Sequence, residues 1–230
     1  LRNNDPAAAE KELRRASALG VAKIEWAVPL GKAMLMQGKT KEVLKTLKVE
    51  AGDDAATKAD VLITLGSAQM IDGKREEGRK LMLEAQSLNP GGVEVNLALA
   101  RLAQFEQNLP QSLSYVETAL KTDPKSYDAW MGKGDVLAKQ GKLPEAKAAF
   151  QTAIDLDPNN VFGRLGRAGV LIDANELDAA MNDINFVAQQ FPNFPMVNYL
   201  RGKVLFKQKK LDQAQEALQE VLKREPNHLF

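Results

Sequence analysis

The 230-residue chain has no cysteine and only one histidine, His228. Without cysteine it can form neither a disulfide nor a thiolate metal site, and a single histidine cannot supply the ligands that a zinc ion needs. His228 also lies close to the C-terminus, where we expect an exposed tail residue and not a catalytic base. The composition therefore predicts no metal, no cofactor and no catalytic triad, and we expect the chain not to be an enzyme.

An excess of one charge and a long apolar run are missing as well. The 31 basic and 30 acidic residues leave a formal charge of +1, which creates no field that would attract nucleic acid or an anionic membrane. No segment approaches the roughly 18 to 20 consecutive apolar residues of a membrane span. We therefore expect neither nucleic-acid binding nor direct insertion of this chain into a membrane.

A period of 34 residues runs through most of the chain. If each unit is numbered so that its proline is position 32, position 8 is small and position 24 is bulky and apolar. The prolines are Pro90, Pro124, Pro158, Pro192 and Pro226; position 8 is Gly66, Ala100, Gly134, Ala168 and Gly202; position 24 is Met82, Val116, Phe150, Ile184 and Leu218. Small residues let two antiparallel helices approach closely, and large ones fill the space beside the crossing. The period therefore predicts stacked helix pairs, each joined by a short turn.

The repeat boundaries follow from this numbering. We predict a single array over residues 1–230, in which the first unit slips by one residue at a longer loop within 50–57. An acidic N-cap at Asp5 and a proline at the first helical position predict a helix before that unit. The array comprises a lone helix of a truncated repeat in 1–23, then units 24–58, 59–92, 93–126, 127–160, 161–194 and 195–228.

One unit, 127–160, carries a full set of family residues. They are Trp130, Gly134, Leu137, Gly141, Ala146, Phe150, Ala153 and Pro158. This unit resembles the tetratricopeptide repeat, although the other units have Leu62, Asn96, Arg164 and Asn198 where the tryptophan would stand. The resemblance implies an all-α fold, a right-handed superhelical solenoid of antiparallel helix pairs that acts as a protein-binding scaffold.

A narrower resemblance rests on three stretches of text. They are DPAAAEKELR from Asp5 to Arg14, GKGD at 132–135 with GKL at 141–143, and NYLRGK at 198–203 with FKQKKL at 206–211. These look like the tetratricopeptide-repeat lipoprotein (PrsT-type) of the PEP-CTERM/exosortase system. The resemblance implies a lipid-anchored parent chain in the periplasm or outer membrane, with a role in exopolysaccharide production and protein sorting. A generic cytoplasmic adaptor and the regulatory arm of a larger enzyme are the alternatives.

The chain starts at Leu1 without a signal peptide, and the first repeat lacks its first helix. We therefore expect a fragment of a longer protein. Its last helix is expected to expose apolar side chains that would permit end-to-end self-association. Those side chains are Leu211, Ala214, Leu218, Val221 and Leu222.

The first helix of each pair should turn one face toward an inner groove, formed by positions 2, 5, 9, 12 and 13. An apolar strip with interspersed charges suits an extended peptide or an amphipathic helix from a partner protein. The predicted groove residues are Leu97, Arg101, Met131, Asp135, Phe162, Leu165, Gly166, Gly169, Tyr199 and Lys203. Three further positions nearer the helix ends, Phe105, Ile172 and Phe206, are predicted to be partly buried against neighbouring residues.

Two glycines in the first helix of unit 161–194 suggest a recess in this groove. Gly166 and Gly169 lack side chains, so space should open beside Phe162, with Met131 and Asp135 on one wall. Tyr199 and Lys203 should form the other wall. Simple tolerance of glycine in a stable array is an equal alternative, since each glycine costs a helix about 1 kcal/mol relative to alanine.

The carboxylate clamp of heat-shock-chaperone repeat domains is not expected here. Starting from unit 93–126, its lysine, asparagine and arginine positions hold other residues, namely Leu97, Arg101, Gly132, Phe162 and Gly166. Binding of a chaperone's acidic C-terminal tail is therefore not predicted. Phosphate loops are excluded too, because the glycine patterns lie inside helices and follow no strand.

Overall fold

The computed structural model describes residues 5–224, apart from the side chains of Ile24 and Arg224. Pro226 and His228, which the sequence assigns to the end of the last repeat, lie outside the described residues. Residues 5–224 form thirteen helices and no strand, in two compact units that meet in sequence at Pro124 and Lys125. The helices of the first unit are α1 Pro6–Ala18, α2 Lys23–Met36, α3 Thr40–Thr46, α4 Ala55–Ile71, α5 Arg75–Leu88, α6 Val93–Phe105 and α7 Leu109–Thr122. Those of the second unit are α8 Tyr127–Lys139, α9 Leu143–Leu156, α10 Val161–Asp173, α11 Leu177–Gln190, α12 Pro195–Lys207 and α13 Leu211–Arg224.

In the first unit, α4 packs on α5 and α6 packs on α7, while α4 also contacts α2, α3 and α6. The helix α1 begins where the sequence predicts it, since the Asp5 carboxylate accepts the N–H groups of Ala7 and Ala8 at 3.0 Å. The loop before α4 ends at Asp54, whose carboxylate accepts the Thr57 N–H at 2.8 Å. The longer inter-repeat loop is thus terminated by a helix cap.

The second unit consists of three helix pairs: α8 with α9, α10 with α11, and α12 with α13. The helix α10 also contacts α8, α9 and α12, so it lies at the centre of this unit. Its buried side chains form a core cluster with those of α11 and α12, which includes Ile172, Ile184 and Val204. The predicted all-α fold of antiparallel helix pairs is confirmed.

The small and bulky positions of the repeat contact one another directly. A Cβ atom added at Gly134 would lie 2.7 Å from the Phe150 ring, and one added at Gly202 would lie 2.8 Å from Leu218. Contacts this short leave no room for a methyl group, because carbon atoms pack at about 3.5 to 4.0 Å. Position 8 is therefore small because the position 24 side chain occupies the adjoining space.

The turn between the two helices of each pair has the same backbone conformation throughout the repeats. From α4 onward, position 15 has a positive φ in every pair, whether or not it is glycine. The angles are 83° at Gly73, 60° at Gln107, 74° at Gly141, 62° at Asn175 and 61° at Lys209. A residue in the left-handed conformation thus closes the turn in five successive helix pairs.

Two of the three side chains predicted to be partly buried are exposed. Ile172 is more buried than predicted, with none of its surface exposed, because it packs in the cluster with Val197 and Val204 of α12. Phe206 occupies the same repeat position on α12 but is 64% exposed, because no described helix pair packs beyond it. Phe105, the last residue of α6, is 55% exposed, and the Arg75 guanidinium lies over its ring at 4.8 Å from the centroid.

The helix α13 divides its apolar side chains between core and surface. Ala214 and Val221 are buried, Leu218 is half-buried, and Leu211 and Leu222 are exposed. The two exposed leucines of α13 thus lie near opposite ends of the helix. Self-association through this helix stays a prediction.

Candidate peptide-binding recess

A recess of about 390 Å³ opens in the second unit, and its residues come from α8, α9, α10 and the segment where α12 begins. Most of its lining is apolar. The side chains and backbone that line it are Asp135, Ala138, Lys139, Phe150, Phe162, Leu165, Gly166, Gly169, Val170, Asp173, Phe194 and Met196. Its size and its few charged groups are typical of ligand sites on proteins.

The two glycines on the floor of the recess have different roles. A Cβ atom at Gly166 would lie 2.5 Å from Cε1 of Phe150, whereas a Cβ atom at Gly169 would meet nothing within 4 Å. The edge of the Phe150 ring that contacts Gly166 also contacts Gly134 on α8. Gly166 is therefore required by packing, while Gly169 leaves open space, as the groove interpretation predicts.

An aromatic pair and a methionine form the apolar wall. The rings of Phe162 and Phe194 meet edge to face, with centroids 6.1 Å apart and planes 79° apart. Phe162 is 55% exposed and Met196 is 40% exposed. Both helix starts hold these side chains in place: Asn160 caps α10 by accepting the Phe162 N–H at 3.2 Å, and Phe194 is itself the N-cap residue of α12.

Three charged residues lie on the rim. The Asp173 carboxylate pairs with Lys203 Nζ at 3.6 Å, and Lys139 also has an interaction partner within the chain. Asp135 is exposed and lies one helical turn before Lys139 on α8, at the same rim. Desolvation by the concave surroundings raises the pKa of Asp135, and the positive charge of Lys139 opposes that shift.

The structure brings five of the predicted groove residues together at this recess: Asp135, Phe162, Leu165, Gly166 and Gly169. The predicted second wall is wrong, because Tyr199 and Lys203 do not line the recess and Phe194 and Met196 lie there instead. Met131, predicted beside Asp135 on the first wall, does not line the recess either.

Sequence reasoning missed Phe194 because it considered only positions inside the first helices, and Phe194 lies just before one. The signal was Phe194 directly before Pro195, the first residue of α12, since a proline restricts the backbone of the residue that precedes it. The lysine displaced from the predicted wall, Lys203, pairs instead with Asp173 and lies 5.9 Å from the Tyr199 ring.

The remaining two predicted groove residues lie in the first unit. Leu97 is buried with 4% of its surface exposed, and Arg101 is exposed. Leu97 therefore offers little surface to a partner, contrary to its placement among the groove residues. A contact between Arg101 and a partner stays a prediction.

A second, more polar cavity of about 530 Å³ lies between α9, α10 and α11. An internal ion pair forms its base. Asp183, 4% exposed, accepts hydrogen bonds from Arg167 Nε at 2.7 Å and Nη2 at 2.6 Å, and Arg164 approaches it to 3.5 Å. The Asp183 carboxylate raises the pKa of Arg167, first through these hydrogen bonds and then through its negative charge. Gln151 accepts another N–H of Arg167. This cluster joins three helices and is a structural feature.

Within the described ranges, no cluster of three or more histidine, cysteine, aspartate or glutamate side chains could hold a metal ion. None of the helices in residues 5–224 combines the length and apolar character that crossing a membrane requires.

These features define a class: a helical-repeat protein built from pairs of antiparallel helices with a turn of recurring geometry. A sequence profile of the tetratricopeptide repeat matches residues 97–161, and a second profile of the same repeat matches 137–204 and 171–229. The matches together span more than half of the chain. The chain belongs to the tetratricopeptide-repeat family.

Known relatives agree with this assignment. Over 101 residues, the chain is 34% identical to the TPR repeat-containing protein YpiA of Bacillus subtilis. The aligned region covers 43% of the chain and 24% of YpiA. The chain thus matches less than a quarter of the length of this curated relative.

Two solved structures share the fold. A chain from the crystal structure of the APC/C hetero-tetramer Cut9-Hcn1 superposes on the present chain with a TM-score of 0.76 at 16% identity. The superposition covers 96% of the present chain and 44% of the chain from that complex. YrrB, described as a TPR protein with an unusual peptide-binding site, superposes with a TM-score of 0.54 at 19% identity, over 74% of this chain and 88% of YrrB.

Proposed function

We propose that this chain is a non-enzymatic scaffold that binds a peptide segment of a partner protein in the recess between α8, α10 and α12. The observation that carries the proposal is the recess itself, in which exposed Phe162 and Met196 surround an opening above Gly169. Exposed aromatic and methionine side chains in a concave site are typical anchoring points for partner side chains. Proteins of this repeat family are protein-interaction scaffolds, which supports the same conclusion.

The fold relatives support a peptide or protein partner. YrrB is described as having a peptide-binding site, and Cut9 is found in a complex with Hcn1. Because these similarities are below 25% identity, they support a mode of binding and not a particular partner.

The recess can be blocked without harming the helix. Leucine at Gly169 would project into open space, and leucine has a higher helix propensity than glycine. In a pull-down from an envelope extract, we expect the native chain and the control variant Lys11→Ala, which changes an exposed side chain on α1, to capture the same proteins. Gly169→Leu should capture at least one of them at a level reduced about thirtyfold, as hot-spot contacts predict. Equal capture by all three chains, measured by quantitative mass spectrometry, would move the binding site away from this recess.

For the cellular setting we propose the periplasm or outer membrane, in exopolysaccharide production and PEP-CTERM protein sorting. The support is the sequence resemblance at 5–14, 132–143 and 198–211. A generic cytoplasmic adaptor and a regulatory arm of a larger enzyme are the competing functions. Cell fractionation with an antibody against this chain, together with the upstream gene sequence, separates them. An envelope fraction and a lipobox cysteine support the proposal, whereas a cytoplasmic fraction or a fused catalytic domain contradicts it.

A further inference from the structure

One face of α13 repeats a surface that is covered in the helix pair before it. In α11, the side chains at positions 17, 21, 24 and 28 of the repeat belong to the core cluster shared with α12; they are Leu177, Met181, Ile184 and Ala188. In α13, the same positions hold Leu211, Gln215, Leu218 and Leu222. Among the described helices only α12 contacts α13, and Leu211 remains 59% exposed and Leu222 49% exposed.

The same surface is also covered one pair earlier, on α9. Phe150 at position 24 is 1% exposed, and Ile154 at position 28 is 5% exposed. A Cβ atom added at Gly163 of α10 would lie only 3.0 Å from Cγ1 of Ile154, so the two helices meet closely there. Two successive second helices in this unit thus bury this face under the helix that follows. The equivalent face of α13 has the same apolar character and lacks such a cover within the described residues.

The four positions are arranged symmetrically along α13. They lie four, three and four residues apart, so they share one face of the helix and have the same spacing from either end. When two such faces meet antiparallel about a two-fold axis, Leu211 of one copy lies level with Leu222 of the other. Gln215 likewise lies level with Leu218. A two-fold interface requires this kind of self-complementary surface.

The charges at the two ends of α13 favour the same orientation. Asp212 lies in the first turn and Lys223 in the last, and both side chains are exposed. Antiparallel packing brings Asp212 of one copy toward Lys223 of the other, whereas parallel packing brings like charges together. Phe206 extends the apolar face from α12, because its equivalent in the previous pair, Ile172, is fully buried by the next helix.

We propose that α13 is a dimerisation helix, which packs antiparallel against α13 of a second copy of this chain. The two-fold axis passes between Glu216 and Ala217, midway along the symmetric face. Leu211, Leu218 and Leu222 from both copies form the apolar centre of the interface. The proposal is independent of the function proposed above, since none of these residues lines the recess.

Sedimentation equilibrium tests the dimer with the native chain, Leu222→Glu and the control Leu83→Glu. Leu83 is 43% exposed on α5, which is also the second helix of its pair. We expect the native chain and the control to shift from the mass of one chain to that of two as concentration rises. Leu222→Glu should raise the dissociation constant at least about a hundredfold, because a two-fold interface contains the buried charge twice. Circular dichroism should show equal helix content in all three chains.

Single cysteines test the orientation, and they are unambiguous because the native chain contains none. Residues 211 and 222 come level only in the antiparallel dimer. Oxidation of a mixture of Leu211→Cys and Leu222→Cys should therefore join one variant to the other. Either variant alone should stay unlinked, because its two cysteines would lie about 16 Å apart along the helix axis, beyond the reach of a disulfide.

Three results would contradict the proposal. A native chain that stays monomeric at every concentration would overturn it and leave this face to a further helix pair or to a different protein. A Leu222→Glu variant that dimerises as tightly as the native chain would place the contact on another surface. Cross-linking of each cysteine variant with itself, and not with the other, would overturn the antiparallel arrangement.

Discussion

Two glycines three residues apart on α10 provide a direct test of the packing described above. Alanine at either position raises the helix propensity by the same amount, about 1 kcal/mol. At Gly169 the new methyl group meets no atom within 4 Å, so that gain should appear in full. We therefore expect Gly169→Ala to increase the free energy of unfolding by about 1 kcal/mol.

At Gly166 the same change forces two carbon atoms together. The new Cβ would lie 2.5 Å from Phe150 Cε1, so the ring or the helix must move by about 1 Å to restore normal contact. The ring cannot swing aside freely, because it is 1% exposed and the same edge touches Gly134. Overpacking of this kind typically costs about 1 to 3 kcal/mol. Gly166→Ala should thus be less stable than Gly169→Ala by about that amount, and net neutral to destabilised relative to the native chain.

Urea unfolding followed by circular dichroism at 222 nm measures both variants under one condition. The double change Gly166→Ala with Phe150→Leu supplies the control, because leucine removes the ring edge that the methyl group would strike. In the Phe150→Leu background, Gly166→Ala should raise the free energy of unfolding. The difference between this effect and the effect of Gly166→Ala in the native chain is the coupling free energy between the two sites. Equal stability of Gly166→Ala and Gly169→Ala would show that the ring is not confined between the two helices.

Two further predictions concern charged side chains. Glu10 on α1 binds Lys39 at 2.8 Å, Arg14 at 2.8 Å and Gln37 at 2.9 Å, and these bonds lower its pKa from 4.5 to about 2 despite the opposing effect of burial. Because the folded-state pKa is depressed, the stabilisation is present above pH 4.5 and is lost as the pH falls toward 2. The melting temperature of the native chain should therefore fall more steeply across that window than that of Glu10→Gln, and parallel curves would contradict the assigned bonds. For the ion-pair cluster, Asp183→Leu leaves two arginines without their shared partner and should lower the free energy of unfolding by roughly 3 kcal/mol. Adding Arg167→Met should recover part of that loss in chemical denaturation, and a further loss in the double variant would argue against the pair.

The helix pairs could be predicted from sequence because the period records a steric rule. Position 8 and position 24 must fit each other in every unit, so the contacts of Gly134 with Phe150 and of Gly202 with Leu218 leave a periodic pattern in the amino-acid sequence. The left-handed turn residue was harder to predict from the sequence. In these five pairs glycine marks it only at Gly73 and Gly141, whereas Gln107 and Lys209 also adopt a positive φ.

The candidate site was predictable only in part, because it depends on residues outside the repeat pattern. The helical face predicted Phe162 and Asp135, and both line the recess. The opposite wall depends on how the segment before α12 enters its helix, and that direction places Phe194 and Met196 at the opening instead of Tyr199. Periodicity assigns faces to helices but gives no information about the segments that join one pair to the next.

The Phe150 ring, whose edge contacts glycines on both α8 and α10, ties two neighbouring repeats to one side chain. In a repeat array the free energy of unfolding is approximately a sum of terms for single repeats and for their interfaces. Here one residue contributes to a repeat and to its interface with the next, so neither repeat can open while the other keeps its packing intact. Cooperativity should consequently be strongest where the recess is formed, and a bound segment would rest on the part of the array that is least able to fray.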